Sequence, residues 1–247
     1  KETCWVVLPD DIIVPVHRMT NILLRGKKKQ GTVIAIDGPV AAGKSVVGRL
    51  LAERLGYKFL DTGTMYRAIT WIAIKSGLAL ENEQDLEDLA KTTLLELAGV
   101  HGEKVVANGI DVTSYLRVKE VEQAVSIVSR CASLRRELVK RQQALASKGH
   151  IVIVGRDIGT VVVPNAGVKV FLNAAVQERA RRRSAEMDRT GKSLAMEKVQ
   201  VDLERRDMLD TQRIASPLRP ADDAHILDTD GLDVEQVVAR IMEWTHG

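Results

Sequence analysis

Two spacings of apolar residues alternate along the chain. Residues 32–37 (TVIAID) make the short apolar run that a strand takes when both its faces are buried, and Val46, Val47, Leu50, Leu51 and Leu55 then recur at helical spacing. Residues 57–61 (YKFLD) predict a second strand, Asp61-Thr62-Gly63 a turn, and residues 64–75 a second helix closed by Ser76-Gly77. Strand, helix, strand, helix in that order implies crossover connections, hence a parallel sheet with right-handed crossings.

The rhythm breaks over residues 78–117. A polar helix is expected at 83–97, and residues 105–112 follow, in which Asn108-Gly109 carries the signal of a hairpin turn. This stretch reads as a small lobe inserted into the sheet domain. A long helix over residues 119–146, interrupted near Cys131 and ended by Gly149, leads to further strands at 151–154, 168–172 and 224–227. An arginine-rich helix follows the fourth strand, and the amphipathic stretch 234–244 closes the chain with an apolar face that reads as core rather than dimer contact. The expectation is an α/β fold with a five-stranded parallel sheet flanked by helices. Ligands of such sheets bind beyond the carboxyl ends of the strands, where Ser45, Thr62, Arg156 and Asp157 fall.

Composition narrows the partners. At 247 residues the chain has material for a sizeable core, as one α/β domain with an inserted lobe or as two domains. Three Trp, three Tyr and two Phe are too few for a single-strand nucleic-acid surface built on base stacking. The net charge of +3 is modest, and basic residues gather at Lys27, Lys28 and Lys29 and at Arg179, Arg181, Arg182, Arg183 and Arg189. That suits a polyanionic small molecule better than a long duplex, with the three lysines read as a solvated segment. Cys4 and Cys131 have neither C-x-x-C spacing nor a histidine cluster nearby, so no disulfide or zinc is expected and a reducing cytoplasm fits. No run approaches the length of a membrane span, and the first 30 residues, broken by Pro9, Asp10, Asp11 and Pro15, lack the apolar stretch of a secretion signal. Residues 1–30 are expected to be an extension, poorly ordered over residues 1–18.

Candidate chemistry begins at Gly38-Pro39-Val40-Ala41-Ala42-Gly43-Lys44-Ser45, which fits G-x-x-x-x-G-K-[ST] between a predicted strand and a predicted helix. A polyphosphate needs many donors converging on a small volume. Gly38 and Gly43 let the backbone curl so that successive N–H groups and the positive end of the helix face an anion. Lys44 would reach the β- and γ-phosphates and the Ser45 hydroxyl would ligate Mg2+. The plain alternative is a glycine-bearing turn.

A second set of cations decides what the nucleotide is for. Arg67 lies about one helical turn past Thr62 and can point back over the sheet edge, or stand as a surface arginine. Arg206, Asp210 and Arg213 are spaced by four and three, one face of a helix if it persists that far, and suit either a phosphate and a ribose hydroxyl or an ordinary surface ion pair. The run Glu178-Arg179-Ala180-Arg181-Arg182-Arg183 reads as a lid over ATP, with Thr190-Gly191-Lys192 as its flexible tip, or as a solvated helix. Moving a phosphoryl group needs positioning and charge stabilisation by Lys, Arg and Mg2+. A phosphate acceptor is already an oxyanion, so no His-Asp or Ser-His arrangement is required.

Five segments in order, IDGPVAAGKS, LDTGTMYRA, VGRDIGTVVVPNA, ERARRR and RRDMLDTQRIASPLRPADDA, make residues 32–247 resemble the bacterial cytidylate kinases, a family of nucleoside monophosphate kinases. The resemblance implies a P-loop kinase fold with a lid and an enlarged monophosphate-binding lobe, and transfer of the γ-phosphoryl group of ATP to CMP or dCMP. It implies a kinase domain over residues 31–247, with core 31–77, 118–175 and 215–247, inserted lobe 78–117 and lid 176–196. Gly38, Pro39, Val40, Ala41, Ala42, Gly43, Lys44, Ser45 and Val46, with Arg181, would hold ATP. Thr62, Arg67, Arg156 and Arg213 would hold the acceptor phosphate, Arg206 and Asp210 its sugar and phosphate end with Asp210 on the ribose hydroxyls, and Ser126, Arg135 and Asp157 the base. Lys44, Arg156, Arg206 and Arg213 are the implied catalytic cations. Asp157 can accept from the exocyclic amine of cytosine, where uracil offers a carbonyl.

One position departs from the family, which commonly has Asp or Glu where this chain has Val154. Metal binding is then expected to rest on Ser45, with Asp37 as its outer partner. The partners expected are ATP and CMP or dCMP, with no nucleic acid and no membrane, for a cytoplasmic monomer. Other acceptors, such as UMP, AMP or a small alcohol, and a nucleotide-dependent switch remain open at this point.

Overall fold

The apolar run ahead of the glycine loop is the middle strand of a parallel sheet. The computed structural model describes residues 32–98, 104–189, 191 and 194–245, together with two short strands, β1 (Trp5–Val7) and β2 (Ile13–Pro15). β1 and β2 pair antiparallel within one compact unit, residues 1–31, and the remainder forms a second unit, residues 32–247. Apart from those two strands, the expected extension lies outside the described residues.

In the second unit β3 (Val33–Asp37) is followed by α1 (Lys44–Leu55), β4 (Lys58–Asp61) and α2 (Thr62–Lys75). β8 (Ile151–Val154), β9 (Val168–Asn173) and β10 (His225–Asp228) complete a five-stranded sheet in the order β10-β9-β3-β8-β4, parallel throughout. β10 starts one residue later than expected. Both faces of the sheet are covered, which is why β8 is a continuous apolar run rather than an alternating one. Ala35, Leu60, Ile151 and Ile153 pack on one side with Ile69 of α2, while Ile34, Ile36, Val152 and Val154 pack on the other with Val47 and Leu51 of α1. The closing helix, α8 (Val234–Thr245), sends Val237, Val238 and Ile241 into that second core, so its apolar face is core.

The stretch after α2 differs from the single polar helix expected at 83–97. Helix α3 (Glu83–Thr92), capped by Asn82 through the N–H groups of Gln84 and Asp85, stops at Thr92. Residues Leu95–Ala98 are instead strand β5, paired antiparallel with β6 (Lys104–Ala107), because Leu95 and Leu97 pack against Val105, Ala107 and Leu116. A strand presents alternate residues to such a cluster, and that requirement overrides helical propensity. Asn108 (φ 50°) and Gly109 (φ 80°) turn the chain into β7 (Ile110–Asp111), the expected hairpin.

The helix expected over 119–146 is interrupted where expected, as two helices, α4 (Lys119–Val128) and α5 (Ala132–Ala146). The break falls at Cys131, which is buried and whose sulfur accepts from the Leu134 N–H at 3.5 Å as an N-cap. The arginine-rich segment is α6 (Val176–Arg189), and α7 (Met196–Gln212) returns from it. Of the expected lid tip, Thr190 and Lys192 lie outside the described residues. α7 ends one residue short of Arg213, whose ψ of 139° is extended. Arg206, Asp210 and Arg213 therefore do not share one unbroken helical face; Arg213 is instead turned inward and buried. Among the described residues no helix is long and apolar enough to cross a membrane.

Two glycines are fixed by close approach. Gly38 has φ 148°, and a Cβ there would lie 2.2 Å from the Leu172 carbonyl oxygen, so backbone meets backbone where the loop passes β9. At Gly48 in α1 a Cβ would lie 2.5 Å from Cγ1 of Val154 and 2.9 Å from Phe59. Overpacking of this kind costs about 1–3 kcal/mol, against a gain of about 1 kcal/mol in helix propensity. Gly48→Ala is therefore expected to destabilise the fold by about 1 kcal/mol, and Val154→Ala to relieve it. In a denaturant double-mutant cycle the pair should be more stable than the sum of the single changes by about 1 kcal/mol; strict additivity would remove Val154 as the obstructing contact.

Candidate active site

A cleft of about 730 Å3 opens over the carboxyl edge of the sheet. Its floor is the loop from Val40 to the start of α1, in which Ala41 (φ 60°) and Gly43 (φ 91°) take left-handed backbone. The amino end of α1 thus opens into the cleft, with its first N–H groups lacking helical partners. Gly38 and Pro39 form the entry to this loop and do not line the cleft, although the Pro39 carbonyl accepts from Lys44 Nζ at 2.6 Å. Burial, then the nearby Arg156, draws the Lys44 ammonium well below its ordinary pKa, while Asp61, Asp37 and Asp210 oppose this.

Next to Lys44, the Ser45 hydroxyl donates to Oδ2 of Asp61 at 2.6 Å, and Oδ1 of Asp61 accepts from the Gly63 N–H at 2.9 Å, capping α2. Asp61 is a cleft residue that sequence reasoning missed. At the end of a strand and before Thr-Gly it reads as a turn former, and only its pairing with Ser45 marks it otherwise. A hydroxyl and a carboxylate beside phosphate-binding N–H groups are oxygen donors of the kind Mg2+ takes, usually with few protein ligands and the rest from phosphate and water. Among the described residues no group of three or more His, Cys, Asp or Glu side chains could hold a metal alone.

Asp37 does not fill the outer role expected of it. Its two carboxylate oxygens accept from the N–H groups of Ile158 and Gly159, each at 2.8 Å, and it lies outside the cleft lining. It anchors the π-turn of residues 158–162 that follows β8. Burial raises its pKa to about 6, against the lowering effect of the Gly159 and Ile158 N–H groups.

The far part of the cleft gathers guanidinium groups. Arg67 from α2, Arg135 from α5, Arg156 after β8, Arg206 from α7 and Arg213 after α7 all line it. They are held by carboxylates from different elements. Arg135 meets Asp157 at 2.5 Å, Arg156 Nε donates to Asp210 at 2.8 Å, and Arg213 lies 3.6 Å from Asp157 and 3.9 Å from Asp210. Arg206 donates to the Glu122 carbonyl, and Arg135 also sits over the Tyr66 ring, 5.2 Å from its centroid. Breaking a buried pair such as Arg135 with Asp157 typically costs about 3–5 kcal/mol.

Yet the pairing is incomplete. Among the described residues nothing accepts from Nε of Arg67, Nε of Arg135 or Nη2 of Arg213. Burial lowers the pKa of Arg67 to about 10 and also lowers that of Arg213, where Arg135 adds like-charge repulsion. Buried donors without acceptors are costly, and an anion in the cleft would supply the missing acceptors. Ser126 of α4 lines the same region, as does Thr62, though the Thr62 hydroxyl proton is engaged by the Val154 carbonyl at 2.9 Å.

The arginine-rich helix α6, expected as a lid, faces the cleft with other arginines than expected. Arg181 is outside the cleft, its side chain 66% exposed and its guanidinium paired with Glu178. Arg182, Arg183, Glu186 and Arg189 line the cleft instead. A helix turns about 100° per residue, so a shift of one position changes which guanidinium faces the loop. Arg183 donates to both carboxylate oxygens of Glu122 on α4, at 2.5 and 2.7 Å. Arg179, which is buried, ties the start of α6 to the phosphate loop by donating to the Val40 carbonyl at 3.1 Å while pairing with Asp207 at 2.6 Å.

Comparison with known proteins agrees with this arrangement of motifs. The family model described as cytidylate kinase matches residues 34–247. The chain is 50% identical over 211 residues to a cytidylate kinase of Geobacillus sp. (strain WCH70), covering 85% of this chain and 94% of that protein. It is 50% identical over 216 residues to the cytidylate kinase of Geobacillus kaustophilus (strain HTA426), covering 87% and 96%, and 48% identical over 211 residues to that of Bacillus subtilis (strain 168), covering 85% and 94%. With a phosphate loop and a buried arginine cluster in one cleft, and a match of this extent, the chain belongs to the cytidylate kinase family.

Proposed function

We propose that this chain transfers the γ-phosphoryl group of ATP to CMP or dCMP, giving ADP and CDP or dCDP, as a cytoplasmic monomer acting on the magnesium complex of the nucleotide. The observation that carries the reading is the juxtaposition, in one cleft, of a phosphate loop with buried guanidinium groups whose N–H donors lack acceptors. Two anions are thereby accommodated, one on the loop and one among the arginines.

The roles follow from what each group has to offer. The loop N–H groups and Lys44 bind the donor phosphates, and Arg182 and Arg183 face them from the lid. Arg67, Arg156 and Arg213 take the acceptor phosphate, and Arg206 and Asp210 its sugar end. Ser126, Arg135 and Asp157 form the base site, where Asp157 is paired with Arg135. Mg2+, held by Ser45 together with phosphate oxygens, would neutralise charge on the β- and γ-phosphates. The attacking group is a phosphate oxygen that needs no general base, so the side chains orient the two nucleotides in line and stabilise charge spreading over the γ-phosphoryl oxygens.

ADP release measured by a coupled assay with CMP, dCMP, UMP, AMP or no acceptor tests this directly. CMP and dCMP should support turnover well above UMP and AMP. ADP formed at the same rate without any monophosphate would mean a nucleotide-dependent switch, and preference for another acceptor a related kinase.

Three outcomes test the parts. Arg213→Ala is expected to raise the acceptor KM at least about tenfold, the scale of one charged hydrogen bond, with ATP affinity nearly unchanged. An unaltered acceptor KM and kcat would take Arg213 out of the site. Asp157→Asn should narrow the ratio of kcat/KM for CMP over UMP by about tenfold, because the amide can no longer act as a purely accepting group; a constant ratio would assign base discrimination elsewhere.

The third concerns protons. Lys44 has its pKa depressed by burial and Arg156, and bound phosphates would raise it again. ATP binding is then accompanied by proton uptake at alkaline pH, and affinity declines as pH rises through the free-state value. Calorimetry in two buffers of different ionisation enthalpy measures this, and no uptake at any alkaline pH at which the protein stays folded would mean that the ammonium is already fully charged before the nucleotide arrives.

A further inference from the structure

We infer that Asp61 is the carboxylate through which this chain holds the metal ion of its nucleotide, in place of the acid that Val154 replaces. The inference rests on the reading of the cleft as a magnesium-nucleotide site and identifies which side chain serves it.

Three positions compete for the role. Val154 has no oxygen to offer in its side chain, which is 1% exposed and packed in the core against the Gly48 backbone and Phe59. Asp37 has oxygens, but both are bound to the Ile158 and Gly159 N–H groups and the residue lies outside the cleft. Turning it toward an ion would leave two buried N–H groups unpaired. Asp61 lines the cleft, and only its Oδ1 is engaged by a backbone N–H, that of Gly63, while Oδ2 accepts from the Ser45 hydroxyl beside which an ion would sit. It is the register partner of Val154 on the adjacent strand, so its carboxylate stands one strand over from the missing acid, at the same edge of the sheet.

The neighbouring charges single it out further. Asp157, Asp210, Glu122 and Glu186 also line the cleft, but each is paired with an arginine: Arg135, Arg156, Arg183 and Arg117 respectively. Asp233 caps α8 by accepting from the Gln236 N–H. Asp61 is in ion-pairing contact with no arginine or lysine: it accepts from two neutral donors, the Ser45 hydroxyl and the Gly63 N–H, with Lys44 and Arg67 acting on it only through space. The hydroxyl bond has a directional consequence. When Ser45 gives its only proton to Asp61, its lone pairs are left for a cation, and the carboxylate retains acceptor capacity for the ion's hydration shell. Asp61 is therefore a positioning residue, orienting the Ser45 oxygen and supplying charge next to it.

Asp61→Asn isolates that charge. Asparagine is a good N-cap, so the bond from the Gly63 N–H can persist, and its amide can still donate to the Ser45 oxygen. The probe is Mn2+ titrated by electron paramagnetic resonance into the protein carrying a non-hydrolysable ATP analogue, with analogue affinity in EDTA and the thermal midpoint measured alongside. Asp61→Asn should weaken Mn2+ binding by at least about tenfold, while analogue affinity in EDTA stays within about twofold. Asp61→Glu, which keeps the charge, should recover most of the Mn2+ affinity. Undiminished Mn2+ binding by folded Asp61→Asn protein, or a glutamate variant as weak as the asparagine one, would overturn the assignment. A wild-type protein that binds the analogue but shows no metal-linked gain would overturn the magnesium reading beneath it, and failure to bind the analogue at all would overturn the nucleotide reading itself.

Discussion

Everything at the sheet edge is organised by one constraint: several guanidinium groups are drawn out of water into one small cleft. Like charges in a low-dielectric space repel, and each loses hydration, so the arrangement stands only because carboxylates from other elements are threaded among them. Asp157 serves Arg135 and approaches Arg213; Asp210 serves Arg156 and approaches Arg213. The carboxylates fall short of full satisfaction, leaving donors on Arg67, Arg135 and Arg213 without acceptors. A site that fully paired its cations would be more stable and would bind anions poorly, so the shortfall is what makes the cleft receptive.

The fold supplies the frame for this tension. Both faces of the central strands are buried, and the loops leaving β3, β4 and β8 therefore start from fixed points on one edge. The π-turn after β8 is held by Asp37, at the end of β3, through two buried hydrogen bonds. That contact fixes the path of the chain just beyond Arg156 and Asp157 relative to the phosphate loop, so a residue expected beside the metal instead positions that stretch of the cleft wall.

What was legible in the sequence was local. The phosphate loop needs a strand before it, glycines in it and a helix after it, all within about one turn of chain, and these were all readable there. The hairpin at Asn108-Gly109 and the parallel strands were legible for the same reason. What escaped depended on distant partners. Asp37 faces groups 121 and 122 positions away, which no local pattern encodes. Leu95 and Leu97 belong to a strand because of what they pack against. Arg213 owes its inward turn to the end of α7 one residue earlier, and Arg181 loses the cleft to its neighbours through helix phase alone. Resemblance supplied the acceptor and the base-site residues, which spacing could not have named.

The lid adds a further consequence of charge pairing. Arg183 on α6 is bound by both oxygens of Glu122 on α4, and Arg117 pairs with Glu186 across the same gap, so the lid is linked to the helix that carries Ser126. A phosphate that reaches Arg183 must therefore displace a carboxylate already in ion-pairing geometry. Exchanging one anion for another returns little net free energy, because the desolvation of Arg183 is already compensated by Glu122. The gain rises with the charge density of the incoming group, so α6 acting as a lid would contribute more to choosing a triphosphate over less charged ligands than to raw affinity. On the proposed reading affinity would then come chiefly from the loop, whose N–H groups have no competing carboxylate among the described residues other than Asp207, 3.4 Å from the Val40 N–H.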